Sequence, residues 1–333
     1  MALRFPAPGG ASSWWRVNGS LLLAASLFLS VAESAPALDA AIAAAVHSDL
    51  AFGRADQGIG RLQMALARDS HDADSHNLLC RILYQEQRWN DAIHECEQAV
   101  ESAPASSDYH MWLGRAYGQR ANSVSFVEAY RISRKVRSEF ETAASLDPHN
   151  AEAQADLGEF YTEAPAIIGG GLDKAEDIAR RMETFDTVRA HELRGEIAEE
   201  RKDAAGAERE FKAEIGAARN PAEAWTVLAS FYRRHERWDD MTAAVRGAVA
   251  ADREHGVASA YAAEILIKAN REPLLAIRLL ESYLSSQKQS EDAPAFQAHV
   301  QLGHLYEEQG DKQAAQREIQ AARLLAKDYR GLP

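Results

Sequence analysis

The chain has 333 residues, with 50 acidic against 37 basic side chains and a formal net charge of −13. That length holds either two ordinary domains or one elongated array, and the acidic balance repels nucleic acid and anionic lipid, so no nucleic-acid partner is expected. Charged, alanine- and leucine-rich composition with sparse β-branched and aromatic runs argues against a sheet-based fold and makes helix the default state.

Residues 1–32 differ from everything after them. Arg4 and Arg16 supply positive charge, Leu21 to Leu29 is a nearly pure apolar stretch, and Ser30-Val31-Ala32 offers the small residues a signal peptidase needs. The segment reads as a secretory signal peptide, with residues 33–38 as a short linker. Its apolar core is about half the roughly 20 residues that span a bilayer. Export to a periplasmic or secreted location is therefore expected, with no membrane insertion after cleavage; retention as an N-terminal membrane anchor is the alternative. Cleavage removes two arginines and no acids, leaving 50 acidic against 35 basic side chains.

From residue 39 to 329 the sequence repeats with a period near 34 residues. "WLGRAYGQR" at Trp112, "DLGEFYTEA" at Asp156, "VLASFYRRH" at Val227 and "QLGHLYEEQG" at Gln301 share an apolar residue, a small one, and an aromatic three further on. The second halves of the units, such as "DAIHECEQAVESAP" and "EFETAASLDP", place small, large and small residues on one helical face. Such a pattern lets two helices approach closely while bulky residues fill the space between successive pairs. It resembles the tetratricopeptide repeat. The matching positions include Leu113, Gly114, Tyr117, Phe140, Ala143 and Pro148 in the third unit, and Leu302, Gly303, Tyr306, Ala315 and Ala322 in the eighth. The resemblance is to exported bacterial members of that family. It implies an all-α, right-handed superhelix of about eight helical hairpins, in units near 39–72, 73–106, 107–150, 151–187, 188–221, 222–255, 257–290 and 296–329.

The third and fourth units exceed the period, through insertions at 120–134 and 164–171, each between its helices A and B. In the first insertion Phe126, Ala129, Tyr130, Ser133, Val136 and Phe140 fall at helical spacing, so helix B is expected to start two turns early and project beyond the stack. The second, "EAPAIIGGGLDKAE", holds Pro165 as a helix stop and three glycines for a turn, with Asp173 as a candidate cap. Ile167 and Ile168 are expected to cover the projecting helix near Phe126 and Tyr130, the four residues forming a lateral ridge. A phosphate loop is a poor reading, because Lys174 does not follow the last glycine directly and no strand precedes it.

No constellation for catalysis, cofactor or metal binding stands out. His71 to His76, "HDADSH", lies between units, where Asp and Ser serve as helix caps. Cys80 and Cys96 fall on facing positions of the second unit; either a disulfide clamping that hairpin or two packed thiols fits the spacing. A cluster of Arg131, Arg134, Lys135 and Arg137 on the extended helix is either an anion site or a solvated face.

The family resemblance implies a non-enzymatic scaffold whose helices A line a concave groove for a peptide or partner protein. Projected onto this sequence, the groove positions are Asn77, Arg81, Tyr84, Met111, Arg115, Gln119, Arg233, Arg234 and Tyr261, with an acidic band at Glu192, Glu196 and Glu199. The alternative is an accessory subunit of an envelope enzyme complex, bound through the lateral ridge.

Overall fold

Each 34-residue period folds as two antiparallel helices, because neither helix alone can bury its apolar stripe. The computed structural model describes residues 38–333; the expected signal segment lies outside them. Sixteen α-helices pair into eight hairpins, α1 (Ala40–Ala51) with α2 (Ala55–Leu66), α3 (Ala73–Gln85) with α4 (Trp89–Ser102), and α5 (Ser107–Ala121) with α6 (Phe126–Leu146). Next come α7 (Ala151–Glu163) with α8 (Leu172–Met182), and α9 (Thr187–Glu200) with α10 (Ala204–Ala217). The last six helices are α11 (Ala222–Arg234) with α12 (Trp238–Ala251), α13 (Val257–Lys268) with α14 (Pro273–Ser285), and α15 (Ala295–Glu308) with α16 (Lys312–Leu325). The described residues contain no strand, and none of their helices is long and apolar enough to cross a membrane.

Local chemistry sets the helix starts. Asp72, Ser106, Asn150, Asp186, Asp203 and Asp311 each accept a backbone N–H from the first turn of the helix they precede. Asp72 lies in the His71–His76 stretch, so that cluster is a cap. Six hairpins pass through positive φ in their A–B turn, at Gly53, Gln87, Lys202, Glu236, Asn270 with Glu272, and Gly310. The small positions of the repeat act by contact. A Cβ on Gly114 would lie 2.5 Å from the Phe140 ring, so helix α6 can approach α5 only because that side chain is missing. His–Glu pairs also tie A to B in four hairpins, with His76 to Glu95 at 2.6 Å, His110 to Glu139 at 2.6 Å, His191 to Glu210 at 2.8 Å and His299 to Glu318 at 2.6 Å.

The two long units depart from the simple turn as their spacing implies. Helix α6 runs 21 residues against 14 for α4, and a 3-10 turn at Ala166–Ile168 precedes α8. A Cβ on Gly170 would fall 1.7 Å from the Ala164 carbonyl, which explains a glycine there. Gly171, not Asp173, occupies the N-cap of α8; Asp173 sits in its first turn. The isoleucines do not cover the tip of α6. Phe126 is 86% exposed and Ile167 78%, while the turn meets α6 through Arg137, whose Nη1 donates to the Ile168 carbonyl at 3.2 Å. The turn thus docks on α6 about three helical turns from Phe126, short of the tip.

The superhelix turns far enough to close on itself. Arg81 on α3 forms an ion pair with Glu291, and Gln85 Nε2 donates to the Glu291 carbonyl at 2.8 Å. Gln297 Nε2 on α15 returns a bond to the Gln85 carbonyl at 3.0 Å, and the Arg330 amide donates to Glu86 at 3.2 Å. Apolar burial reinforces the seam: Phe296, Val300, Ala322 and Tyr329 belong to the same core as Val46, Leu50 and Leu62. At Gly53, with φ +62°, a Cβ would lie 2.5 Å from the Ala295 nitrogen, so the first hairpin's turn meets the last hairpin backbone to backbone. A disulfide joins Cys80 to Cys96, with Cα atoms 5.3 Å apart, and clamps the second hairpin beside this seam.

Candidate binding cavity

Closure converts the concave face into a central cavity of about 1140 Å³, lined mainly by the A helices. Its two sides differ in how charge is balanced.

Along α3, α5 and α7, opposite charges are matched. Arg115 Nε donates to Asp156 Oδ2 at 2.6 Å and its Nη2 to Glu152 Oε2 at 3.1 Å. The guanidinium carbons of Arg81 and Arg115 lie 5.0 Å and 4.8 Å from the Trp112 ring centroid, a cation–π arrangement that fixes both forks. Gln119 Nε2 donates to the Tyr84 hydroxyl at 3.2 Å. Burial lifts Asp156 above the ordinary carboxylate value, and Arg115 offsets part of that rise.

On α9 and α10 the acids stand without such partners. Glu192 and Glu196 are one turn apart and share a face of α9, with Glu214 reaching the same space from α10. None of the three forms an ion pair among the described residues. Burial, then the charges of Glu192, Glu159 and Glu163, pushes Glu196 well above the ordinary range. Burial, then Glu192 and Glu196, pushes Glu214 up to about 9, and Glu192 is raised by burial as well. Glu214 is only 3% exposed and its Oε2 accepts no hydrogen bond. Glu199, the third member of the band, differs: burial works against its ionisation, but Arg234 donates to both its oxygens, at 3.0 and 2.7 Å, and holds it below the ordinary value.

Of the groove positions read from sequence, Tyr84, Arg115, Gln119, Arg233, Arg234 and Tyr261 line the cavity. Arg81 stands in the seam. Asn77 and Met111 are buried, at 6% and 3% exposure, because α3 and α5 are each covered by neighbours on more than one side and offer a narrower free face than an end helix would. Sequence reasoning passed over Glu214, which lies on a helix B and reaches the cavity only from the end of α10, and over Glu291 in the loop before α15. Carboxylates on helix surfaces gave no sign of perturbation by themselves; the disturbance arises when the ring brings them together. Among the described residues no three carboxylate, imidazole or thiol groups gather as a metal site. The ridge residues lie apart from the cavity, with Phe126, Val127 and Ile167 exposed, Tyr130 37% exposed and Ile168 half-buried.

Fold and cavity together define an all-α repeat solenoid that closes on itself. Residues 49–116 match the family described as Tetratricopeptide repeat, and the hairpins on either side carry the same small-against-large packing. Residues 49–116 therefore carry a tetratricopeptide repeat, and the described chain folds as a tetratricopeptide-like solenoid. Similar solved structures include yeast Tom70, at 16% identity and a TM-score of 0.51, the match covering 82% of this chain and 55% of Tom70. A thermophilic TPR protein of Thermus thermophilus is 18% identical over 57% of this chain and 97% of its own, with a TM-score of 0.49. One from Parabacteroides merdae is 13% identical over 88% and 97%, with a TM-score of 0.45. No curated protein matches the sequence. The fold is that of a protein–protein interaction scaffold, and proteins of this family are generally non-enzymatic.

Proposed function

We propose that the protein is a non-enzymatic interaction scaffold acting outside the cytoplasm, in the periplasm or as a secreted protein, and that a segment of its partner enters the inner face of the ring. The observation that carries this reading is the cavity itself: helices A of successive hairpins point polar and aromatic side chains into one partly open central space large enough for an extended segment. The Cys80–Cys96 disulfide supports an oxidising compartment, as does the signal-like character of residues 1–32. The buried acids of the cavity supply one ingredient of catalysis, but no histidine or thiol lines it beside them, which supports binding over chemistry.

A second reading has its own observation. Phe126, Val127 and Ile167 leave an apolar ridge in water, and such patches mark contact surfaces, as an accessory subunit of an envelope complex would need. A photo-crosslinking amino acid placed at Tyr261 inside the ring, or at Phe126 on the ridge, separates the two in an envelope preparation. Adducts at Tyr261 support the inner face. Adducts confined to Phe126 move the docking surface to the ridge.

A further inference from the structure

The cavity has an excess of negative charge. Ten acidic and six basic side chains line it, and most of those cations are already committed: Arg115 to Asp156 and Glu152, Arg234 to Glu199, Lys268 to Glu264, and Arg189 to Asp186. Glu192, Glu196, Glu214, Glu223 and Asp292 form no ion pair, against only Arg219 and Arg233 among the cations. Glu214 is the most telling, since a carboxylate that is only 3% exposed, with a bare Oε2, is costly to keep unless something completes it. A single metal ion does not answer, because the acids are spread along the wall instead of converging on one point. The need is for several separated cations.

We propose that the partner segment entering the cavity is extended and basic, its lysine or arginine side chains meeting Glu192, Glu196 and Glu214. This deepens the scaffold reading and rests on it. An ionised carboxylate only accepts hydrogen bonds, and ammonium and guanidinium groups only donate, so the acidic wall suits basic side chains and repels a neutral chain's carbonyls. The opposite wall has a different character. Tyr84, Gln119 and Gln297 offer both donors and acceptors, and Gln85 leaves its Oε1 without a donor. Peptide backbone, with one donor and one acceptor per residue, matches that mixture. A free polyamine would use only the acidic wall and leave the other unmet, so a basic peptide uses more of the cavity.

Binding should also move protons. Within the ring the acids repel one another: Glu192 faces Glu223 and Asp186, with Arg189 opposing; Glu196 faces Glu192, Glu159 and Glu163, with Arg234 opposing; Glu214 faces Glu192, Glu196 and Glu223, with Arg189 opposing. Raised as they are, some of these carboxyls hold protons near neutral pH. An arriving cation favours their ionised form and expels those protons.

Calorimetric titration of the full chain with an end-blocked peptide alternating lysine and serine tests this, run in two buffers of different ionisation enthalpy. The expected result is binding with net proton release. Replacing lysine by glutamine in the peptide, or introducing Glu192→Gln with Glu196→Gln in the protein, should weaken it at least about tenfold. Circular dichroism of the double variant checks its fold. Loss of affinity with added salt in the unaltered protein tests the same charge matching without any substitution. Equal affinity for the glutamine peptide would overturn the basic partner while leaving the inner-face scaffold standing. Spermidine binding as tightly as the lysine peptide would overturn it in favour of a free polyamine. No binding by any peptide, with crosslinks only at Phe126, would remove both the inference and the inner-face reading.

Discussion

On the α5–α7 side of the cavity Asp156 and Glu152 come with Arg115; on the α9–α10 side Glu192, Glu196 and Glu214 form no such pair. Asp156 is lifted by burial and pulled back by Arg115, whereas Glu196 and Glu214 are lifted by burial and lifted further by neighbouring acids. The same repeat geometry builds both walls, so the contrast comes from sequence alone. One wall is charge-matched within the chain and the other is not.

The sharpest way to break that comparison is to vary pH. The folded-state pKa of Glu214 lies near 9, above the ordinary 4.5, so the native state keeps a proton that the unfolded chain has released. Its contribution to stability is complete below about pH 4.5 and is lost as pH rises through about 9, at up to about 1.4 kcal/mol per pH unit within that window. Glu214→Gln should flatten the slope and leave the variant more stable than the parent by several kcal/mol at the alkaline end, with little difference near pH 4.5. Thermal melts across the range measure it; an unchanged slope would place the buried charge elsewhere. His76 and His110 act in the same direction, since the hydrogen bonds they donate to Glu95 and Glu139 raise their pKa values. The support they give is fully present below the ordinary 6.5 and fades as pH climbs through their raised values.

On the matched wall, Arg115→Ala leaves Asp156 buried without its cation and should cost about 3–5 kcal/mol in urea denaturation. Adding Asp156→Asn should recover much of the loss, as it removes the stranded charge. Equal costs for Arg115→Ala and Glu192→Gln would erase the distinction between the walls. At the seam, reduction of the Cys80–Cys96 disulfide should cost about 3 kcal/mol, from the regained freedom of a short loop. Arg81→Ala should cost less, about 1 kcal/mol, because its pair with Glu291 is partly exposed.

The eight hairpins were legible because the signal is local. Gly114 with Phe140, and Leu157, Gly158 and Tyr161, state the small-against-large rule within a few turns of helix, and the spacing from Phe126 to Phe140 announces the early start of α6. Closure was not legible. Arg81 and Glu291 are 210 residues apart, and nothing in a repeat period says how far the superhelix has turned by its last unit. The acidic band on α9 could be read from the helical spacing of Glu192, Glu196 and Glu199, but its strain could not, since that depends on Glu214 arriving from α10 and on Arg234 forming its ion pair with Glu199. Asn77 and Met111 were misplaced for a related reason: a groove face projected from one hairpin ignores the cover that neighbouring hairpins bring. At the ridge Ile167 stays exposed, and the loop meets α6 through the polar contact of Arg137 with the Ile168 carbonyl, which no local spacing announces.

Spin labels placed on the exposed residues Gln57 and Lys327, at the turn side of the first hairpin and just beyond the last helix, report directly on whether the ends meet. The Lys327 amide lies 3.3 Å from Asp56 Oδ2, so electron–electron dipolar spectroscopy of the full chain should give one short, narrow distance. A long or broad distribution would mean an open superhelix with no central cavity.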